Sequence, residues 1–197
     1  SGEPAAYLLD CHICYYAAVK YRLPVLFMLL AAVCAAHAQP APIIFDTDMG
    51  NDVDDALALA VLHALESRGE ARLLAVTLTK DNRYAAPYVD LVNTFYGRPE
   101  IPIGVVKNGK TPEDSAMIRV PCERKRADGA PVYPRRLNDG RTAPDASTVL
   151  RRVLESQPDN SVTIVQVGFF TNMARLLDTD RDLIARKVRL LVVMAGA

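Results

Sequence analysis

Five apolar runs of strand length, separated by stretches with helical spacing, constrain this chain more than any other feature. Residues 42–45 form the first run, and residues 71–79 (ARLLAVTLT), 101–106, 162–167 and 188–194 form the others. Apolar strands without alternation belong to sheets buried on both faces, which are mostly parallel sheets flanked by helices. The intervening segments agree. Residues 54–68 place Leu57, Val61, Leu62 and Leu65 at helical spacing before Gly69, residues 85–96 end at Gly97, and residues 145–157 form a third helical pattern. Residues 171–177 and 182–186 read as two further helical pieces. The sequence therefore predicts an α/β fold with a doubly wound, mostly parallel sheet and helices on both faces. Ligands of such sheets bind beyond the carboxyl ends of the strands. Residues 107–144 break the pattern with Pro112, Pro121, Pro131, Pro134, Pro144 and many charges. A segment this long inside a compact domain is either a cover over a substrate or a solvated insertion.

Composition removes several function classes. Lys plus Arg equals Asp plus Glu at 23 each, there is no Trp, and 7% of residues are aromatic. The chain thus lacks the positive charge that binds phosphate polymers and the stacking platforms that hold unpaired bases, so no nucleic acid polymer is expected as a partner. Residues 23–38 (LPVLFMLLAAVCAAHA) follow Lys20 and Arg22 and close on Ala36, His37 and Ala38, the layout of a signal peptide cleaved after Ala38. That run is shorter than the roughly 20 residues of a membrane span. The expectation is an exported protein, periplasmic or secreted, with no stable membrane anchor after cleavage. Val33 before Cys34 does not suit a lipoprotein. Residues 19–38 are assigned to the signal peptide and residues 39–197 to the α/β domain. Residues 1–18 are read as upstream read-through ahead of a start at Val19, because Ser1 opens the chain and Cys11, His12 and Cys14 have no partner pair for zinc. Cys122 is then the only cysteine of the mature chain and is expected to be a buried small hydrophobe.

The first apolar run ends in Asp46, Asp48, Asp52, Asp54 and Asp55, with Asn51 among them. Like charges a few ångströms apart repel by about 4 kcal/mol at an effective dielectric near 20, so something positive should sit among them. A hard divalent cation is the simplest candidate, since the stretch offers carboxylates and carbonyls but neither Cys nor His. Helix capping accounts for Asp52, Asp54 and Asp55 but not for Asp46 and Asp48 at the strand end. An EF-hand loop fails, because Gly50 stands where a ligand is needed and Leu57 where the bidentate Glu belongs.

The segment IIFDTDMGNDVDDALALAVLHAL resembles the opening of the nucleoside hydrolase family of the inosine-uridine preferring type, in which an apolar strand precedes Asp-x-Asp, Pro-Gly and Asp-Asp-Ala. LLAVTLTKDN, SVTIVQVGFFTNMARLL and KVRLLVVMAGA resemble later strands of the family in the same order, so the similarity spans about residues 42–197. It implies hydrolysis of the N-glycosidic bond of a small nucleoside substrate, with calcium (Ca2+) as cofactor and a homo-oligomer as the assembly. Asp48 and Asp55 would bind calcium together with the backbone carbonyl of Val167. Asp48 would also be the general base, Asp54 and Asn82 would hold the ribose hydroxyls, and Asp46 would orient the cluster. The chemistry is consistent, because carboxylates stabilise an oxocarbenium-like transition state and a metal lowers the pKa of the attacking water.

The sequence departs from the family pattern in three places. The gap between Asp48 and Asp54 is two residues longer, with Met49 in place of Pro, so Asp52 competes with Asp54 and Asp55 for their roles. Lys80 and Asp81 precede Asn82 where the family has a small residue and Gly. The chain ends at Ala197, before the family segment that carries the last calcium ligand, which implies an incomplete site of low activity. His63 lies mid-helix and is expected to be half-buried or at the surface, so no general acid for the leaving base is identified. Two rivals stand beside this reading. One is a calcium-dependent nucleoside or sugar binder without catalysis. The other is a phosphatase of the haloacid dehalogenase type, with Asp46 as nucleophile, Asp48 as acid and Thr79 near a second strand end.

Overall fold

The apolar runs form one sheet. In the computed structural model, which describes residues 39–195, strands β1 (Ala41–Thr47), β2 (Ala71–Lys80), β3 (Ile103–Lys110), β4 (Val162–Gln166) and β5 (Val188–Val193) pair in parallel in the order β3-β2-β1-β4-β5. Helices α1 (Val53–Ser67), α2 (Ala85–Phe95), α3 (Ala116–Glu123), α4 (Ala146–Glu155) and α5 (Thr171–Lys187) connect them, with a 3-10 turn at Gly140–Thr142. Side chains alternate across a strand, so Phe45, Val76 and Leu78 meet Leu59, Tyr84, Val89 and Ile118 on one face. On the other face Ile44, Ala75 and Ile164 meet Val149, Leu150, Leu154, Met173 and Leu176. The doubly wound α/β architecture is as the sequence predicts. The strand order reverses between β1 and β4, the place where such sheets open a crevice at their carboxyl ends.

Several local expectations need correction. Residues 107–144 are neither bare loop nor free insertion: they complete β3, form α3 and pack back onto the domain. The buried Asp90 of α2 accepts hydrogen bonds from the backbone N–H groups of Arg136 (2.5 Å) and Leu137 (2.7 Å), which pins the segment down. The two helical pieces after β4 are one helix with a break at Asp180, whose carboxylate is clamped by Arg151 at 2.6 and 2.9 Å. The buried stripe of α1 is Asp55, Leu59, Leu62 and His63, whereas Leu57 and Val61 face solvent. His63 is fully buried rather than half-exposed. Its Nε2 lies 2.9 Å from Asn93 Oδ1, its Nδ1 lies 3.2 Å from Arg98, and its ring stacks on Tyr96. Strand β5 is apolar yet exposed along nearly its whole length, so its composition did not signal burial on two faces. Cys122 is buried and free as expected, and burial pushes its thiol up to about 11. The signal peptide, the read-through segment, Cys11, His12, Cys14, Cys34 and His37 lie outside the described residues.

Candidate active site

The carboxyl ends of β1 and β4 build the site. Asp46 and Thr47 close β1, and the N–H of Val167, just past β4, donates to the Asp46 carbonyl at 2.8 Å. Gly168 makes the contact possible. A Cβ there would lie 2.5 Å from the backbone nitrogen of Asp48 and 2.7 Å from the carbonyl carbon of Thr47, so no larger residue fits without moving backbone. Gly50 has φ +110°, and a Cβ on it would lie 2.6 Å from Ile118 of α3. Helix α3 therefore closes over the β1–α1 loop, which explains why Met49 is fully buried in a charged stretch.

Four layers of polar contact order the carboxylates. Asp46 is fully buried, and its Oδ1 accepts from Thr77 Oγ1 (2.6 Å) and Asn172 Nδ2 (2.8 Å). Its Oδ2 has no partner among the described residues, and burial pushes the carboxyl up to about 7. Asp55, in the first turn of α1, accepts a 2.6 Å hydrogen bond from Thr47 Oγ1. Burial, together with the Asp48 carboxylate in hydrogen-bonding contact with it, raises Asp55 to about 7 as well. Asp48 is half-buried and accepts from Asn51 Nδ2 at 2.6 Å, and Asn51 Oδ1 in turn accepts from Lys80 Nζ at 2.8 Å. Asp54 is exposed, with its Oδ1 3.1 Å from the backbone nitrogen of Asp55. Asp52 sits at the N-cap of α1 but its side chain caps nothing, so helix capping does not explain it.

Asn82 has a different setting from the rest. It is buried, its Oδ1 accepts from Tyr84 N–H at 2.7 Å, and its Nδ2 donates to Asp114 at 2.8 Å and to the carbonyl of Pro112 at 2.9 Å. The amide assigned to a ribose hydroxyl is thus engaged by residues 112–114, which strap the end of β2. The structure brings Asp46, Asp48, Asn51, Asp55 and Val167 together, and leaves Asp52 and Asp54 on the solvent side of the loop. Sequence reasoning passed over Thr47, Thr77, Asn172 and the role of Lys80. Asn172 stood inside the quoted SVTIVQVGFFTNMARLL segment, but nothing in its spacing says that it crosses to Asp46, 126 positions away.

The donor set can be tested against a metal ion. Among the described residues no three His, Cys, Asp or Glu side chains converge to hold one. Asp48 and Asp55 supply a close pair of carboxylates, and the raised pKa values of Asp46 and Asp55 and the unpartnered Asp46 oxygen mark a site short of positive charge. Oxygen donors alone suit a hard cation, so the residues fit such an ion as a partial set.

Fold and site together define a doubly wound α/β protein with a carboxylate cluster at its switch point. The family model described as inosine-uridine preferring nucleoside hydrolase matches residues 43–197, and the chain belongs to that family. Solved structures agree. A plant nucleoside hydrolase, the PpNRh1 enzyme, is 25% identical with a TM-score of 0.53 over 80% of this chain and 48% of its own. A purine-preferring ribonucleoside hydrolase from Gardnerella vaginalis is 20% identical with a TM-score of 0.51, over 79% of this chain and 49% of its own. The type III effector protein XopQ, solved in complex with adenosine diphosphate ribose, is 20% identical with a TM-score of 0.61 over 88% and 48%. The chain spans about half the length of these solved relatives. No curated protein matches it.

Proposed function

We propose that the protein hydrolyses the N-glycosidic bond of ribonucleosides to ribose and free nucleobase, with Asp48 as general base. The observation that carries this reading is the paired carboxylates of Asp48 and Asp55 at the β1/β4 switch point of a nucleoside hydrolase family member. Asp48, Asp55 and the carbonyl of Val167 are the groups that would hold calcium, which when bound supplies the charge that lowers the pKa of the attacking water. Asp48 takes the proton of that water, held in place by its hydrogen bond from Asn51. Asp54, exposed at the mouth, and Asn82 hold the ribose hydroxyls. For Asn82 this requires its Nδ2 to exchange residues 112–114 for the sugar. The carboxylates stabilise positive charge as the glycosidic bond opens. If residues 19–38 direct export, the reaction serves nucleosides outside the cytoplasm, and recovery of the protein from cytoplasmic fractions alone would sink that part.

Engagement of Asn82 by residues 112–114 favours a second reading, a binder of ribose-bearing ligands that does not turn them over. Ribose release from inosine and uridine, with calcium or with excess chelator, separates the two. The expected result is chelator-sensitive release that Asp48→Asn lowers by about 10²–10⁴-fold. Calcium binding without ribose release selects the binder, and phosphate release from phosphomonoesters selects the phosphatase.

A further inference from the structure

Lys80 is 2% exposed at the end of β2, and its position among acidic groups has no counterpart in the roles assigned so far. A buried ammonium is costly unless carboxylates pair with it directly. None of the ion pairs among the described residues includes Lys80. Its Nζ donates instead to the neutral Asn51, 2.8 Å away, and Asn51 passes a 2.6 Å hydrogen bond to Asp48. Burial lowers its pKa, and the carboxylates of Glu113, Asp48 and Asp114, at longer range, offset part of that effect. Glu113 and Asp114 come from the strap that also engages Asn82. An ammonium has three donors, and only one is accounted for by this contact. The geometry is that of a cation placed to serve a pocket rather than one carboxylate. We propose that Lys80 is a positioning residue that acts as the resident cation of the acidic pocket, orienting Asp48 through Asn51 and weakening the binding of a divalent cation beside it.

This inference rests on the reading that Asp48 and Asp55 bind calcium, and it is tested by calorimetric titration of calcium into the full chain and its variants. Lys80→Gln keeps an amide donor for Asn51 and deletes the charge, Lys80→Arg keeps both, and Asn51→Ala keeps the charge but cuts the bridge. With charge repulsion between Lys80 and the incoming ion removed, Lys80→Gln should bind calcium about tenfold more tightly. Lys80→Arg should stay within about twofold of wild type. Asn51→Ala should bind more weakly, because Asp48 loses its orientation. If Lys80→Gln does not fold, Lys80→Met deletes charge and bridge together and is compared with Asn51→Ala, which it should exceed in calcium affinity about tenfold. Wild-type binding that Lys80→Gln leaves unchanged or weakens overturns the inference and leaves the calcium reading standing. Binding by Lys80→Gln but not by wild type supports the inference and overturns calcium dependence of the natural chain. Binding by no variant overturns both, and unchanged or tighter binding by Asn51→Ala overturns the orienting role.

Discussion

His63 and Asp46 are both fully buried polar side chains in one domain, one toward the amino ends of the strands and one at their carboxyl ends, and they are treated differently. Arg98 can only donate, so His63 Nδ1 accepts from it and Nε2 carries the proton that bonds Asn93; both ring nitrogens are used. Asp46 keeps one oxygen unpartnered, and Asp55 faces Asp48 without a charge between them. The partners of the His63 ring come from the fold itself, although Asn93 Nδ2 beside it is buried without one. What sets the other end apart is that the unpartnered atom is a carboxylate oxygen among further carboxylates, at the carboxyl ends of the strands where ligands of such sheets bind.

The largest break in this contrast should come from Gly168→Ala, which drives a methyl into the backbone at Asp48 and separates the ends of β1 and β4. A loss of about 3 kcal/mol in denaturant unfolding is expected, and a wild-type midpoint would show that the acidic end is not rigid. His63→Ala should cost about 2–3 kcal/mol by the same measurement, because it strands Asn93 and Arg98 and opens a void beside Tyr96, while calcium affinity stays unchanged. Asp55→Asn should have the opposite sign. Replacing a repelled carboxyl by an amide that can donate to Asp48 should stabilise the calcium-free protein at pH 8 by about 1–2 kcal/mol while abolishing calcium binding.

The two ends also carry opposite pH slopes. Asp46 and Asp55 titrate near 7 against an ordinary 3.8, so the folded chain binds more protons than the unfolded one between those values. Their effect is that stability falls as pH rises from about 4 to about 7. His63 is shifted below 6.5 by burial, so its contribution is complete above 6.5 and is lost as pH falls below it. Without calcium, melting temperature should rise by roughly 5 °C from pH 8 to pH 6.5 and keep rising toward pH 5 at about half the slope, because two carboxyls gain a proton on folding against one imidazole that loses it. His63→Ala should steepen the rise below pH 6.5, and Asp55→Asn should level it there; a curve unmoved by either variant removes the contrast. The smallest effect is expected for Arg98→Lys, about 1 kcal/mol or less, since Lys keeps one donor for the ring but not the fork that also reaches Ser67.

Most of the fold was legible because parallel strands buried on two faces leave near-continuous apolar runs, as in β1, β2 and β4. Helix α3 was not, since Pro121 sits inside it and only Ile118 and Cys122 of its eight residues are buried. The stripe of α1 misled for a different reason: Leu57 and Val61 are apolar at helical spacing on the wrong face, and the buried Asp55 and His63 are the polar members of the true one. At the site, Asp46, Asp48 and Asp55 were legible as a cluster because they are close in sequence. The hydroxyls and amides that order them arrive from β2 and α5, and only the pairing of strands brings those within reach. The family resemblance supplied the order of strands in the chain but not the strap over Asn82, which lies in the segment without a pattern.

Strand β5 sets a practical limit of another kind. Among the described residues it is the outermost strand on its side of the sheet, it reads VRLLVV, and Leu190, Val192 and Met194 just beyond it are 50%, 44% and 61% exposed. Exposed apolar side chains on an outer strand recruit other chains by strand addition, so the turbidity of residues 39–197 taken alone should grow with protein concentration faster than unfolding accounts for. Light scattering at matched temperatures reads this directly, and a single lysine at position 191 should delay its onset without moving the melting curve by more than a degree or so. Such association would be colloidal and would start at the side of the sheet opposite β3, two strands removed from the carboxylates of β1.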